Sequence, residues 1–515
     1  MQTHLRDTAL GALALAAAAA TALALAACGI VLGPLNQDEG WYLLAALNVA
    51  DGALPYRDFL YTQGPVMPYF YAAFAWLWAP FGMLGGRVFT SALGLASVAL
   101  WCGAAKRLRG NSAAPSIVFL LLACNPAFSY FTAIPKTYAL ASFFISIAFY
   151  ALAGKARLRI ETAALALALA AGTRLSLGIL LAIAGLWLIL NARRAPRLAW
   201  LRFGIAGALA LFVIYAPFLA LCHEQFVFSQ TYHTARAGGG LASWIALRGG
   251  FVSRLLQGYF LVFAAAALGI AGFRRFPKTI LPAAAFLAAS ALHLFAPFPY
   301  DDYQTPAMPL AAVCAAVWIS SIPGLAWNAK TKLAAAALAL AFAASSPMLM
   351  DWMLIRQDRF WFEMKTKPDI LVLRETGAKI KQHLKEKTGA PLLFTQDAYL
   401  AVEAGARVPR GLEMGPFSIF PDLSDTDARK YNVHNLSTLR AEIETTEAPA
   451  AALSGYAFAM SCPSTEKLLP EQSSPLFEAI SNRFDRAFSV AEFGQRHTRL
   501  DVFTAKHPES KLEMP

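Results

Sequence analysis

Charged residues are scarce in this sequence. Only 15% of its 515 residues are Asp, Glu, Lys or Arg, while 57% are hydrophobic and the mean hydropathy is +0.48. Because soluble domains carry about 25% charged residues, this composition excludes a soluble globular protein. It predicts a polytopic α-helical membrane protein.

Cysteine is scarce as well, and several motifs are missing. The six cysteines form no CxxC pair and no Cys/His ligand spacing, so neither a disulfide framework nor a zinc site is expected. The sequence also lacks GxGxxG, P-loop, HExxH and GxSxG motifs, which counts against nucleotide and hydrolase chemistry. The cysteines are Cys28, Cys102, Cys124, Cys222, Cys314 and Cys462.

The charge that is present has a distinct distribution. The net charge is +12, and the Lys and Arg residues of the first 350 positions gather in short clusters between apolar runs. These clusters lie at 106–109, 155–159, 193–197, 274–278 and 330–332. Basic clusters of this kind set the orientation of a chain in a membrane, so membrane lipids rather than nucleic acid are the expected surroundings. We expect a multi-pass protein of the bacterial cytoplasmic (inner) membrane, with these clusters inside.

Apolar segments of spanning length predict about 11 membrane spans. They lie at 9–33, 66–82, 88–105, 115–132, 138–153, 201–221, 251–271, 279–296, 307–323 and 331–350, with a longer stretch at 160–191. The first should be an uncleaved helix, because its apolar run continues to Leu32. Segment 66–82 contains two prolines and many aromatic residues, so we expect it to be re-entrant or interfacial, with a full crossing as the alternative. Segment 160–191 is interrupted at Arg174, which predicts a hairpin with Arg174 at its outer tip.

The character of the chain changes after residue 350. Charges become frequent, and apolar runs shorten to strand length. Helical periodicity is present in 369–387 and around 437–446, whereas 391–394, 456–460 and 499–505 are typical of short strands. We therefore expect a multi-span catalytic domain over 1–350, with a first outer loop at 34–65, and a periplasmic or extracellular α/β domain over 351–515.

The most polar part of the first half is the stretch 36–69. Asp38 and Glu39 stand side by side just after the first apolar segment, and Trp41 and Tyr42 follow them. A carboxylate pair next to a bilayer is costly unless it is solvated or used. The pair could begin an interfacial helix, with Asp38 as its N-cap. Alternatively, a carboxylate here accepts a proton from a hydroxyl or holds a metal.

This stretch resembles the polyprenyl-phosphate-sugar-dependent GT-C glycosyltransferases, a superfamily that includes protein O-mannosyltransferases and aminoarabinose transferases. The resemblance rests on the acidic pair, the Gly-x-x-Pro-Tyr-x-Asp turn that begins at Gly52, and the Gly64-Pro65 that opens an aromatic helix. It implies an inverting sugar transfer on the outer face of the membrane, with Asp38, beside Glu39, as catalytic carboxylate. Many aminoarabinose-transferase-like members have Lys-Pro-Pro where this chain has Gln63-Gly64-Pro65, so a different cation must meet the lipid phosphate.

The reaction implied by the resemblance needs cations for the leaving phosphate and polar groups for the sugar. The expected phosphate ligands are Arg174, Lys136 and Arg57, with Arg174 favoured because it lies between two apolar half-segments. The alternative for Arg174 and Lys136 is contact with lipid headgroups. Residues expected to bind the sugar or the acceptor are Asp301, Asp302, Tyr303, Tyr56, Asp58 and Gln63.

The remaining outer segment, 222–250, is expected to be a flexible loop. It contains His223, Glu224 and His233, but a ten-residue histidine spacing is not a metal-ligand pattern. Arg236 and Arg248 are expected to be ordinary loop charges. No metal site and no required cofactor are therefore predicted, although a divalent cation stays open.

Two other functions compete with a glycosyltransferase. A transporter or flippase for lipid-linked sugars predicts ionisable residues in the middle of several spans and internal pseudo-repeats. In this sequence such residues concentrate at segment ends and in loops. A non-catalytic membrane-anchored scaffold would leave Asp38 without a role. The leading prediction is thus a membrane glycosyltransferase whose partners are a polyprenyl-phosphate-linked sugar and a lipid, glycan or protein acceptor.

Overall fold

The computed structural model describes residues 2–193, 195–231, 240–358, 361–384, 391–458 and 467–506. The described residues up to 353 are mostly helical. The helices of this part are α1 (Gln2–Val31), α2 (Gln37–Ala50), α3 (Val66–Ala73), α4 (Ala75–Trp78), α5 (Gly82–Arg109), α6 (Ala113–Ala123), α7 (Pro126–Phe131), α8 (Thr137–Leu152), α9 (Arg159–Thr173), α10 (Gly178–Leu190), α11 (Ala199–Leu221), α12 (His223–Thr231), α13 (Leu241–Gly258), α14 (Phe260–Gly269), α15 (Ile280–Leu294), α16 (Met308–Ile319), α17 (Ala329–Ala344) and α18 (Pro347–Met353).

Three helices of the described residues are long and apolar enough to cross a membrane, and up to five segments are if each bent pair counts as one span. The three are Ala9–Val31, Ala75–Arg109 and Ala199–Leu221. The bent pairs are α13 with α14, at 81°, and α17 with α18, at 40°. Other predicted spans form shorter apolar helices; 115–132, for example, is divided at Asn125, which caps α7 ahead of Pro126. The chain is a multi-pass membrane protein, and the number of about 11 spans stays a prediction.

Segment 66–82 is not one continuous helix. It contains α3, α4 and a 3-10 turn at Ala79–Phe81, and α5 begins at Gly82, whose φ is +60°. The breaks follow from Pro80 and from the positive φ that glycine adopts without steric cost. Helix α5 then runs without interruption to the end of the basic cluster at 106–109, where Gly110 caps it.

The prediction of a flexible loop at 222–250 is wrong over its described part. Helices α12 and α13 occupy most of it, while His233 and Arg236 lie outside the described residues. Within α13, Arg248, Phe251 and Leu255 recur at helical spacing and are all buried. Burial of this face outweighs the helix penalty of Gly249 and Gly250, which is about 1 kcal/mol each.

The chain after α18 forms two small sheets with helices. The first is a hairpin of β1 (Leu354–Gln357) and β2 (Phe362–Met364). The second has the strand order β3 (Leu393–Thr395), β4 (Ala450–Leu453), β6 (Thr498–Ala505) and β5 (Phe484–Phe493), in which only the β3–β4 pair is parallel. Its helices are α19 (Asp369–Leu384), α20 (Ala398–Ala404), α21 (Asp425–Lys430), α22 (Leu436–Thr445) and α23 (Pro470–Arg483). Of the strand expected at 456–460, the described residues 456–458 are not in a strand; the strand of this part of the chain is β4.

Helix α2 lies between the membrane helices and this C-terminal α/β region. At Gly40 a Cβ atom would come within 2.1 Å of the backbone nitrogen of Tyr399, so α2 and α20 are in backbone contact. Glu403 of α20 also accepts a hydrogen bond from the Met83 N–H, at 2.9 Å, and so caps the start of α5. The helix that carries Asp38 is therefore packed on both sides.

Candidate active site

The first turn of α2 follows from a local capping motif. Asn36 is the N-cap, its side chain accepts a hydrogen bond from the Asp38 N–H at 3.0 Å, and its own N–H donates to Glu39 Oε1 at 2.9 Å. This is a capping box, which satisfies donors that an unfinished helix end leaves free. Asp38 and Glu39 are consecutive, so their side chains leave the helix about 100° apart. The two carboxylates consequently enter different surroundings.

Asp38 joins an ionic network with two distant loops. Asp38 Oδ2 lies 2.9 Å from Lys136 Nζ, and Asp302 Oδ2 lies 2.8 Å from the same nitrogen. Trp41 Nε1 donates to Asp38 Oδ1 at 3.2 Å. The Lys136 side chain is 6% exposed, whereas that of Asp38 is 30% exposed. Asp38 is thus anchored on one side and accessible on the other.

The charge of Lys136 is maintained by its neighbours. Lys136 precedes α8 in the loop after Pro135 and has an extended backbone. Burial disfavours its ammonium group, but the carboxylates of Asp302 and Asp38 outweigh this and raise the pKa of Lys136 well above its usual value. Lys136 therefore remains a cation that holds the two carboxylates together.

Arg174 borders the same network. It terminates α9 in an extended conformation and is only 8% exposed. Its guanidinium carbon lies 4.0 Å from the ring centroid of Tyr303 and 5.4 Å from that of Tyr138, within the range of cation–π attraction. Its buried Nε has no hydrogen-bond partner among the described residues. A buried donor left in this state costs free energy, and a ligand oxygen would remove that cost.

Glu39, predicted beside Asp38 as a catalytic carboxylate, has a different environment. Its side chain is fully buried and forms two hydrogen bonds with Arg87, from Nε and from Nη2, each 2.7 Å long. A sealed, bidentate pair leaves its carboxylate no access to a substrate. We therefore assign Glu39 to the support of the helix start.

The residues from the turn at 52–63 lie apart from the Lys136 network. Tyr56 is fully buried, and its hydroxyl donates to the Gln63 carbonyl at 2.6 Å, so this side chain shapes the turn. Arg57 and Asp58 form an ion pair with each other at 2.8 Å, with side chains 50% and 33% exposed. The Gln63 carbonyl also accepts a bond from Gln230, at 3.4 Å.

The loop before α16 divides its two acidic residues. Asp302 and Tyr303 reach the network, whereas Asp301 pairs with Arg254 at 2.8 Å on a more exposed side. Glu224 lies on α12, in the segment that was expected to be a loop, and forms an ion pair with Lys430. No group of three or more His, Cys, Asp and Glu residues with metal-binding geometry occurs within the described ranges.

Sequence reasoning missed the supports of α2. Arg87 was not selected, although a single arginine beside an apolar segment is a recognisable signal of a buried partner. The contacts of Gln37 gave no such signal. Its N–H donates to Gln495 Oε1 at 2.8 Å, its amide donates to the Gln396 carbonyl at 2.6 Å, and its Oε1 accepts from the Tyr456 hydroxyl at 3.0 Å.

No family model and no curated protein matches the sequence. Among solved structures, the chain is similar to ArnT from Cupriavidus metallidurans bound to undecaprenyl phosphate, with a TM-score of 0.62, 14% identity, and coverage of 95% of this chain and 97% of that chain. Its similarity to the apo state of ArnT has a TM-score of 0.61, with the same identity and coverage. An identity of 14% shows a common fold and leaves the activity open. The chain thus has the ArnT-like GT-C fold, the one implied by the motif at 36–69.

Proposed function

We propose that this protein is a membrane glycosyltransferase that takes a sugar from a polyprenyl-phosphate donor and transfers it, with inversion, to an acceptor hydroxyl on the outer face of the inner membrane. One observation carries the proposal. Asp38, Lys136, Arg174, Asp302 and Tyr303 come from four separate segments and meet at one partly accessible place. Such a concentration of opposite charges next to apolar helices is costly unless it serves a reaction.

The reaction assigns a different role to each charge. Asp38 accepts the proton of the acceptor hydroxyl, and the resulting oxygen attacks the anomeric carbon of the sugar. The bond from that carbon to the phosphate oxygen breaks, and the phosphate leaves with the electron pair. Negative charge therefore grows on the phosphate in the transition state, where a nearby cation stabilises it.

Arg174 is better suited than Lys136 to bind that phosphate. Lys136 already lies between two carboxylates, each within 2.9 Å, whereas the Nε of Arg174 has no hydrogen-bond partner in the described part of the chain. A guanidinium group also matches phosphate geometry through two parallel donors. In this proposal Lys136 orients Asp38 and Asp302, and Asp302 and Tyr303 contact the sugar. The exposed Arg57–Asp58 pair and Asp301 lie outside this core.

The lipid part of the donor has a suitable groove nearby. A cavity of about 1110 Å³ lies between α13, α15, α17 and α18. Its lining is mostly apolar and includes Trp244, Leu256, Phe295 and Phe342. Arg248 also lines it and donates to the Ala296 carbonyl at 2.8 Å, at the start of the loop that carries Asp302. An apolar lining of this kind suits a polyprenyl chain, and the binding of undecaprenyl phosphate by ArnT, which has the same fold, supports such a donor.

The C-terminal region has a place in this proposal. We assign residues 1–350 to the catalytic membrane domain and 351–515 to a domain on the periplasmic side that helps to bind the acceptor. The packing of α20 on α2 supports this assignment, because it brings the C-terminal region next to the helix of Asp38.

The test is sugar transfer by the purified protein in lipid nanodiscs, with a pool of radiolabelled polyprenyl-phosphate sugars and an extract of envelope acceptors. The wild type should transfer label, and Asp38→Asn should lose at least about 100-fold in rate, the lower range for loss of a general base. Asp51→Asn, at the other end of the same helix, is the matched control and should stay near the wild-type rate. A wild type that transfers no label while moving lipid-linked sugar across vesicles would establish the flippase instead.

A further inference from the structure

Arg87 is a charged side chain in a position where charge is costly. It lies on α5 with 0% exposure, and no step of the proposed reaction uses it. A lone buried charge costs several kcal/mol, so its surroundings must compensate it fully. The compensation is complete: each of the five N–H groups of its guanidinium donates one hydrogen bond.

These five bonds connect three helices at one point. Two go to the Glu39 carboxylate on α2. The other three go to carbonyl oxygens at and after the end of α1: Nη1 donates to Ile30 at 3.0 Å and to Gly33 at 2.9 Å, and Nη2 donates to Pro34 at 2.9 Å. The last carbonyls of a helix lack intrahelical partners, and Arg87 provides some of them. One side chain on α5 thus holds the end of α1 and the start of α2.

Because Arg87 fixes the position of the Glu39 side chain, it also restrains the position of the neighbouring Asp38. Asp38 and Glu39 share the first turn of α2, and Glu39 Oε1 accepts the Asn36 N–H in addition to its bond from Arg87. A rotation of this turn would break the Arg87 pair and move Asp38 away from Lys136 at the same time. Catalytic groups need placement within about 0.5 Å, and a 1 Å displacement can cost about 100-fold in rate.

We infer that Arg87 is a positioning residue, which sets the orientation of the Asp38 carboxylate through its clamp on Glu39 and on the end of α1. The inference rests on the proposed function, because it treats Asp38 as the proton acceptor. Arg87 touches neither substrate nor reacting atoms. Its effect should therefore appear in turnover and not in the binding of the lipid.

The experiment compares Arg87→Lys with Glu403→Gln in nanodiscs. Lysine keeps the charge but lacks the planar fork that reaches Glu39 and three carbonyls together. Glu403→Gln weakens the cap at the start of the same helix α5 without a contact to α2, so it controls for a general loss of stability. For each variant we would measure the thermal unfolding midpoint, kcat, the donor KM, and the affinity for undecaprenyl phosphate.

The expected result for Arg87→Lys is a kcat that falls between about 10- and 100-fold at temperatures where the protein is folded. The donor KM and the undecaprenyl phosphate affinity should stay within threefold of wild type. Combining Arg87→Lys with Asp38→Asn should cause no further loss beyond Asp38→Asn alone, since the two act through the same group. Glu403→Gln should keep the wild-type kcat even if its unfolding midpoint falls by as much as that of Arg87→Lys.

Two outcomes would overturn the inference. A wild-type kcat in Arg87→Lys, or equal kcat losses in Arg87→Lys and Glu403→Gln, would reduce Arg87 to a purely structural residue while the proposed function stands. A wild type that transfers no sugar would remove the proposed function, and this inference with it. If Arg87→Lys does not fold, Glu39→Asp, which keeps a counterion for Arg87 but shortens its reach, tests the same clamp from its other side and should lower kcat in the same way.

Discussion

The two neighbouring carboxylates of α2 have opposite environments. Asp38 is 30% exposed and shares one lysine with Asp302, which lies far away in the sequence. Glu39 is fully buried and accepts two hydrogen bonds from one edge of the Arg87 guanidinium group, formed by Nε and Nη2. Two consecutive positions thus hold one carboxylate that solvent reaches and one that it does not. The difference arises because a helix directs consecutive side chains to different faces.

A charged pair indicates a possible reactive site only when its access to solvent is also known. A sealed pair with every donor used is a structural element, and removing one partner leaves an uncompensated charge. An open network with a shared cation and an unpartnered donor can still receive a ligand. The acidic pair at 38–39 has both kinds of charge in one motif, and the following predictions compare buried with exposed charges, first at this pair and then elsewhere in the chain.

The largest effect is expected at the sealed pair. Glu39→Gln leaves Arg87 charged and without its counterion, which should lower the free energy of unfolding by about 3–5 kcal/mol. Asp38→Asn is the matched comparison, and its effect on stability should be below about 1 kcal/mol because Asp38 is partly exposed. Denaturant unfolding in detergent micelles measures both. Equal losses in the two variants would contradict the distinction between them.

The next effect concerns the open network. Arg174→Gln should weaken the binding of undecaprenyl phosphate by about 1.5–3 kcal/mol, the range for a hydrogen bond to a charged group, which is at least tenfold in affinity. Arg254→Gln, whose parent residue pairs with Asp301 on an exposed side, is the control and should bind like the wild type. Titration calorimetry in nanodiscs gives both constants. If Arg174→Gln binds undecaprenyl phosphate as tightly as the wild type, a different cation must bind the phosphate.

A buried carboxylate without a bidentate partner should respond to pH. Burial raises the pKa of Glu413 to about 8, although it accepts a hydrogen bond from the Gly411 N–H. The pKa of Glu413 is higher in the folded protein than in the unfolded chain. The free energy of unfolding is therefore largest at low pH, where Glu413 is protonated in both states, and it falls as the pH rises to about 8. Between pH 6 and 8 the unfolding midpoint of the wild type should fall more steeply than that of Glu413→Gln. The lower limit of pH 6 avoids Asp397, whose pKa burial raises to about 6.

The control for this pH profile is Glu444→Gln. Glu444 forms an exposed ion pair with Arg440 on the same C-terminal region, with side chains 49% and 57% exposed. Its profile should run parallel to that of the wild type. Parallel profiles for all three proteins would show that Glu413 is already ionised when folded.

The smallest effect is expected where both partners are open to solvent. Arg57 and Asp58 are adjacent in sequence and half-exposed, and solvent screens such pairs strongly. Arg57→Gln should therefore leave both the unfolding midpoint and the transfer rate at their wild-type values. A loss of transfer in Arg57→Gln would return this residue to the set of phosphate ligands.

Much of the fold and of the candidate site could be predicted from the sequence, because the residues that indicate them lie in local patterns. Composition predicted the membrane class, and the motif at 36–69 implied the GT-C fold that the similarity to ArnT confirms. Lys136, Arg174, Asp302 and Tyr303 were each selected within their own loop. Their meeting could not be derived, since Lys136 and Asp302 lie 166 positions apart and only tertiary packing joins them.

Other features depended on tertiary contacts that leave no local trace. The clamp of Arg87 uses backbone carbonyls of α1, which any sequence would provide. The segment at 222–250 was predicted to be a loop, whereas burial of Arg248, Phe251 and Leu255 against other helices stabilises α13.

The hydrogen bonds of Gln37 have a consequence for the timing of biosynthesis. Gln37 stands one position before Asp38, and its three partners are at 396, 456 and 495, in the last quarter of the chain. A ribosome produces the start of α2 early and its partners last, and domains generally fold in the order of their synthesis. A chain that stops before residue 396 has the Asp38 carboxylate but not the contacts that hold its helix start in place. In the nascent protein, the start of α2 therefore gains these three contacts only after the final strands have been made.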